Sequence, residues 1–450
     1  MELGDHRNGR RMSILMLPWL AHGHVSPFFE LAKLLAAKNF HVFFCSTAVN
    51  LRSVQPKLTP NLETVELRLP ASPELPPDRH TTAGLPPHLM FSLKGAFDAA
   101  APAFAAVLRR LAPDLLIYDF LQPWAPAEAA AAGIPAVMFN NTSALMPATV
   151  LHILEFQSAE LFSLFPEIRC SEYEIRQLKN FFGSSVNDAK DKERVVGCWE
   201  RSCGIVLVKS FREIEGKYID FLSTLLHKKV IPVGPLVEEP EDDGVSSTFE
   251  EWLNKKDESS SILVSFGSEF YLSKQDMEEI AYGLELSHVN FIWVVRFAVG
   301  GGERKKAMEE ELPKGFLERV KDRGMVVEGW APQTQILRHR STGGFLSHCG
   351  WSSVLESIKF GVPIIAAPMH LDQPLNARLI ECLDVSIIVE RGGSNGGSLR
   401  RGEVARAIKE VVVDKSGERM RKKAKELAKM MKKKGNEEME VVVEELVKLV

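Results

Sequence analysis

Short apolar runs of strand length alternate with longer amphipathic stretches along nearly the whole chain, and this alternation restricts the fold more than any other feature. In the first half a strand is predicted over 13–18, a helix near 26–38, a strand over 40–46, helices between 88 and 111, and a strand over Leu115–Tyr118. Strands interleaved with helices form parallel βαβ units whose sheet is covered on both faces. The helix near Ser26-Pro27 has a serine suited to an N-cap and a first-turn proline, with Phe29, Leu31, Ala32, Leu34 and Leu35 as its apolar face. An α/β fold follows.

The pattern breaks once, over 237–260, where VEEPEDDGVSSTFEEWLNKKDESS is acidic and rich in serine. This stretch reads as an interdomain linker. A strand then restarts at Ser261–Phe266, Gly267-Ser268 turns, and a helix is predicted from Lys274 to Leu286. Strands follow at 291–295, 325–327, 344–346, 363–366 and 386–389. Because 450 residues exceed what one core usually supports, two domains are expected, 1–236 and 261–432. Gly300-Gly301-Gly302 and the charges after it read as a surface loop without chemistry. The tail from Ser416 places Met420, Ala424, Leu427 and Met431 on one helical face, with a break expected at Gly435. The last helix, 433–450, is expected to pack back on the N-terminal domain.

A net charge of −4, with 25% charged residues, provides no basic field for nucleic acid. Six cysteines without a CxxC pair suit free thiols in a reducing compartment, so neither disulfides nor structural zinc is expected. MELGDHRNGRRMSILMLPWLAHGH puts basic residues ahead of an apolar stretch, but that stretch is short, contains Pro18 and lacks a small-residue cleavage site. A first strand and a cytoplasmic location are the expectation. No run of eighteen apolar residues predicts a membrane span.

Residues 330–373 read WAPQTQILRHRSTGGFLSHCGWSSVLESIKFGVPIIAAPMHLDQ. Ser347-His348-Cys349-Gly350-Trp351-Ser352-Ser353 follows a strand and opens a helix, where backbone N–H groups, hydroxyls and an imidazole suit a diphosphate. Trp330 offers a face for a base, and Gln333 and Glu356 offer groups for ribose hydroxyls. Asp372 and Gln373, beyond the carboxyl end of a strand, offer carboxylate and amide to sugar hydroxyls. Singly, each has a structural explanation: tryptophan is usually core, and a glutamate early in a helix complements the dipole. The ordered set is harder to explain so.

This stretch of 44 positions resembles the plant secondary-product signature of UDP-dependent glycosyltransferases, matching at Trp330, Pro332, Gln333, His348, Gly350, Trp351, Ser353, Glu356, Gly361, Pro363, Pro368, Asp372 and Gln373. The resemblance implies a GT-B fold, two Rossmann-like domains with parallel sheets facing a cleft, and a C-terminal donor site. It implies that Trp330 stacks on uracil, Ala331 contacts its edge, Gln333 and Glu356 bind ribose, and His348, Ser352 and Ser353 hold phosphate, with Gly350 in the same turn. Trp351, Asp372 and Gln373 are implied to bind the sugar, and Ser268 of the SFGS segment to approach the diphosphate. A terminal glutamine implies UDP-glucose as co-substrate. One position departs: Ser352 stands where the family commonly has asparagine. That serine and the PWLAHGHVSPFFELAKLL opening resemble the branch that adds sugars to existing glycosides.

His22 and His24 flank Gly23 in a predicted loop after the first strand. The resemblance selects His24 as general base and Asp119 as its partner, leaving His22 to line the loop or an acceptor pocket. An imidazole with an ordinary pKa of ~6.5 can take a proton from an acceptor hydroxyl, and a carboxylate behind it would fix its tautomer and stabilise the cation. The alternative for Asp119 is a cap on a strand-to-helix turn. The segment Asn140-Asn141-Thr142-Ser143 is a candidate to reach the donor sugar, and Phe91, Phe120, Trp124 and Phe139 could supply apolar surface to an acceptor. Direct displacement with inversion, no metal cofactor, and a monomer acting on a triterpenoid or flavonoid glycoside complete the expectation. The rivals are transfer to an aglycone, a catalytically idle sugar-nucleotide binder, and a dinucleotide oxidoreductase, the last disfavoured because no GxGxxG follows the first strand.

Overall fold

In a computed structural model, residues 11–156, 165–168, 171–182, 185–186, 189–240, 248–268, 270–297, 308, 311–392 and 397–450 are described. The Gly300-Gly301-Gly302 run lies outside them. The chain divides into two units, one of residues 1–158, 179–236 and 433–450, the other of 159–178 and 237–432. Each is organised around its own sheet.

The first unit contains β1 (Ser13–Leu17), β2 (His41–Ser46), β3 (Leu62–Glu66), β4 (Leu115–Tyr118), β5 (Ala136–Asn140), a short antiparallel pair β6 (Ser185–Val186) and β7 (Ala189–Lys190), then β8 (Ile205–Val208) and β9 (Lys229–Pro232). Seven of these form one parallel sheet in the order β3-β2-β1-β4-β5-β8-β9. Every residue of β1, β4, β5 and β8 is buried, as expected of central strands covered on both faces. Ile14, Met16, Phe28, Leu31, Leu35, Phe44 and Phe139 share one core, which Met439, Val442, Val443 and Leu446 of the C-terminal helix also enter.

The second unit contains β10 (Ser261–Ser265), β11 (Asn290–Val295), β12 (Gly324–Glu328), β13 (Thr342–Ser347), β14 (Ile364–Ala366) and β15 (Ser386–Ile388). They form a parallel sheet in the order β12-β11-β10-β13-β14-β15. A helix at Thr248–Leu253 lies within the acidic stretch 237–260, and its Leu253 packs with Leu263, Ile292, Ile336 and Phe345.

Two expectations are corrected. The first helix runs from His22 to Ala37, so the two histidines lie in its opening turn and Pro27 lies inside it, without an N-cap at Ser26. Pro27 has no N–H to give the carbonyl of Gly23 four residues earlier; that carbonyl instead accepts from Nδ2 of Asn141 at 3.4 Å. The C-terminal helix runs unbroken from Lys415 to Val447 through Gly435. A helical glycine costs about 1 kcal/mol, which the apolar contacts on both sides of Gly435 offset. Among the described residues, no single helix is long and apolar enough to cross a membrane.

Candidate active site

In open α/β sheets, ligands bind beyond the carboxyl ends of strands where the strand order reverses. In the first unit this switch falls between β1 and β4, which pair with Leu17 opposite Tyr118. His24 follows β1 and Asp119 follows β4. The topology therefore joins residues 95 positions apart: Nδ1 of His24 lies 2.7 Å from Oδ2 of Asp119.

Asp119 is fully buried, while the His24 side chain keeps 18% of its surface exposed. The carboxylate also accepts from the backbone N–H of Trp19 at 2.9 Å and of Phe120 at 2.8 Å. It thus closes its own turn as well as holding the imidazole, so the turn-capping alternative and the pairing are both realised. The segment before His24 is braced at Leu20, whose carbonyl accepts from Thr82 N at 3.1 Å and Thr81 Oγ1 at 3.2 Å. Fully buried Gln122 donates to Leu17 O at 2.8 Å, fixing the end of β1. With Nδ1 against Asp119, Nε2 is the ring nitrogen on the side away from that carboxylate.

Of the four aromatics considered for an acceptor surface, Phe120 stands beside the imidazole of His24, the ring centroids 5.3 Å apart. Phe139 is core, packed at 4.8 Å on Phe28, and Trp124 lies against Phe97 and Phe104. Phe91 is exposed on the helix Met90–Asp98. His22 is exposed.

The second unit repeats the arrangement. Its switch lies between β10 and β13, paired with Ser265 opposite Ser347, so Gly267-Ser268 and His348-Cys349-Gly350 emerge side by side. Gly267 has φ +85°, and a Cβ there would lie 2.6 Å from Nε2 of His348; a Cβ on Gly350 would meet the same atom at 2.6 Å. The imidazole is therefore seated between two glycines, at either of which a Cβ would force the ring to shift. Desolvation, aided by nearby His370, lowers the His348 pKa to about 4, so the ring is neutral at physiological pH. Cys349 adopts φ +64°, and its N–H donates to Ser347 Oγ at 3.1 Å. Gly350 precedes the helix Trp351–Lys359, whose first N–H groups carry the partial positive charge of a helix start.

Gln333 opens the helix Gln333–Arg338, and its Nε2 donates to Glu356 Oε2 at 2.7 Å and Ser353 Oγ at 3.1 Å. Three expected donor residues thus form one polar cluster, with Ser353 buried and Ser352 and Glu356 half-buried. Ala331 and Trp351 are buried, whereas Trp330 is 73% exposed. A tryptophan this exposed leaves a large apolar face in water, as a stacking platform requires. Asp372 is half-buried immediately before the helix Gln373–Cys382. Gln373 is buried, and its Oε1 accepts from the N–H groups of Met369 at 2.9 Å and His370 at 3.1 Å. Its amide NH2 is the end left to meet a hydroxyl. Sequence reasoning missed Asn376, fully buried and bonded to Cys349 O at 3.0 Å and Asp372 Oδ2 at 2.8 Å. The available signal was its spacing, one helical turn after Asp372. Among the described residues, no group of three or more His, Cys, Asp or Glu is arranged to hold a metal ion.

Comparisons with known proteins agree with this architecture. The model of the "glycosyltransferase, N-terminal domain" family matches residues 10–238, and that of "UDP-glucoronosyl and UDP-glucosyl transferase" matches 226–442. Mogroside IIIx synthase of Siraitia grosvenorii is 51% identical, covering 98% of each chain. Beta-D-glucosyl crocetin beta-1,6-glucosyltransferase of Gardenia jasminoides is 48% identical over 97% of this chain and 98% of its own. Among solved structures, Phytolacca americana UGT2 complexed with UDP-2fluoro-glucose and pterostilbene superposes with a TM-score of 0.77 at 26% identity, covering 97% of this chain and 99% of that one. With two parallel α/β units, a family match to each half and close relatives along nearly its full length, the chain belongs to the UDP-dependent glycosyltransferases of GT-B fold.

Proposed function

We propose that the protein moves glucose from UDP-glucose to a sugar hydroxyl of a small-molecule glycoside of triterpenoid or flavonoid type, extending its sugar chain with inversion. The observation that carries the chemistry is the His24–Asp119 pair, which turns one imidazole nitrogen into a poised base. The acceptor class rests on relatives such as the crocetin enzyme, whose name specifies a glucosylated acceptor and a second glucosyl transfer.

Nε2 of His24 takes the proton of the acceptor hydroxyl as its oxygen attacks the anomeric carbon. Asp119, accepting from Nδ1, stabilises the imidazolium that forms. UDP departs on the opposite face, so an α-linked donor gives a β-linked product. The leaving diphosphate is held by His348, Ser352, Ser353, Ser268 and the N–H groups following Gly350. These donors take up the developing charge, so the reaction needs no divalent metal. Trp330 carries uracil with Ala331 at its edge, Gln333 and Glu356 hold ribose, and Trp351, Asp372 and the amide NH2 of Gln373 hold glucose. The reading includes a cytoplasmic monomer without nucleic-acid partners, with residues 237–260 joining an acceptor domain to a donor domain and 433–450 completing the former.

The test is an assay of UDP-glucose, UDP-galactose and UDP-glucuronate against monoglucosides and their aglycones, with mass and linkage analysis of products. A β-linked disaccharide on the glycoside is expected. Transfer to aglycones alone would overturn the acceptor assignment, and donor binding without turnover on any acceptor would favour an idle binder.

A further inference from the structure

Asn376 presents a single amide NH2 to two acceptors from different parts of the second unit. One is the carbonyl of Cys349, in the turn between β13 and the helix Trp351–Lys359, at 3.0 Å. The other is Oδ2 of Asp372, one helical turn earlier, at 2.8 Å. Asn376 is fully buried, and its contact to the Cys349 carbonyl is sheltered from water. Its own N–H is bound to Asp372 O at 3.0 Å, which fixes the backbone below the carboxylate.

Cys349 is held in the left-handed region at φ +64°, an orientation a cysteine does not favour by itself. The turn is held apart from Asn376 by the Cys349 N–H, which donates to Ser347 Oγ at 3.1 Å, so the Cys349 carbonyl offers the amide a fixed anchor. The same amide fixes the Asp372 carboxylate.

We propose that Asn376 is a positioning residue that ties the sugar-binding carboxylate of Asp372 to the diphosphate-binding turn, so that the enzyme's preference for a UDP-sugar over UDP depends on it. The inference rests on the donor-site assignment made above. It requires both amide hydrogens: aspartate at this position would supply none and would set a second negative charge against Asp372.

The test compares the affinities of UDP and UDP-glucose in the full-length protein. UDP engages the base, ribose and phosphate groups, so Asn376→Ala should change its affinity by less than about threefold and UDP-glucose affinity by roughly tenfold or more. Asn376→Asp should do at least as much. Retained UDP binding also reports that each variant is folded. In an Asp372→Asn background, Asn376→Ala should add little further loss, because it acts through the carboxylate already removed; a general packing role would give additive losses. If Asp372→Asn leaves the UDP-glucose to UDP affinity ratio unchanged, the sugar-site assignment fails and the inference with it. If Asp372→Asn lowers the ratio while Asn376→Ala does not, or if the two losses add, the inference alone is overturned.

Discussion

Oδ2 of Asp119 receives both the imidazole of His24 and the backbone N–H of Trp19, at 2.7 and 2.9 Å, so one buried oxygen secures the ring and the segment leading to it. His24→Ala should lower kcat by about 10²–10⁴-fold, the usual worth of a positioned general base. UDP-glucose affinity should not change, because the ring is proposed to act on the acceptor hydroxyl and not on the donor. Loss of donor binding, measured calorimetrically, would contradict the assignment. Asp119→Ala should cost more than activity: it leaves the buried Trp19 N–H without its acceptor, roughly 1–3 kcal/mol, and the half-buried Phe120 N–H as well. A lower melting temperature for Asp119→Ala, but not for His24→Ala, is the expected contrast.

Trp330 can be truncated without opening the core, since most of its surface is in water. Trp330→Ala should therefore leave unfolding stability within about 0.5 kcal/mol of the parent. UDP affinity should fall by roughly 1–3 kcal/mol, the usual worth of base stacking on an aromatic face. Titration with UDP and denaturant unfolding of the same variant separate the two. An unaltered UDP affinity would remove Trp330 from the base site.

How far the sequence alone reaches depends on where each residue sits in the sheets. Strands such as β1 and β10 were legible because every residue is buried, leaving continuous apolar runs. Strand β3, LETVE at the sheet edge, was not, since only Leu62 and Val65 are buried. The sequence places Pro27 at a helix start, but it lies within a helix whose missing bond is compensated by Asn141, just after β5 and 118 residues from Gly23. The pairing of His24 with Asp119 came through family resemblance; no local spacing encodes it, and only the β1–β4 adjacency supplies the reason. The donor residues were identifiable as a set, but the inward turn of Gln373 onto Met369 and His370 depends on a loop conformation that residue types do not reveal.

Glu215 introduces a pH dependence of stability. It is fully buried and accepts from Ala144 N, Leu145 N and Ser210 Oγ, anchoring the start of the helix Leu145–Phe156. Burial pushes its pKa to about 7, partly opposed by those hydrogen bonds. Glu438, bonded to Arg212 N, is raised to about 7 chiefly by burial as well. A carboxyl that binds its proton more tightly folded than unfolded contributes stability that is complete below the unfolded value, ~4.3, and is lost as pH rises through about 7. The melting temperature should thus decline from pH 5 to pH 8 through these groups. Glu215→Gln, neutral throughout, should flatten the decline in part, with Glu438 maintaining the rest. Parallel curves for variant and parent would show that Glu215 does not titrate in this range.

The seat of His348 between Gly267 and Gly350 predicts a steric route to losing the donor. A Cβ on Gly267 would stand 2.6 Å from Nε2, 3.0 Å from Cε1 and 3.4 Å from Cδ2, and at φ +85° the alanine backbone is strained before any contact is counted. The flanking strand β10 is braced on both sides by β11 and β13, so the ring must yield rather than the sheet. In the proposed donor site a displaced imidazole would lose its contact with the diphosphate, and being neutral above about pH 4 it would have no charge with which to act from a distance. Gly267→Ala should weaken UDP and UDP-glucose alike by at least about tenfold, unlike Asn376→Ala, which separates the two ligands. Gly402→Ala is the control: it lies in the helix Arg401–Val412 with open space around its Cβ, so it should bind UDP normally and be no less stable than the parent. Normal UDP binding by Gly267→Ala would show that His348 does not need this seat, and would move the phosphate contact to the serine hydroxyls and helix N–H groups alone.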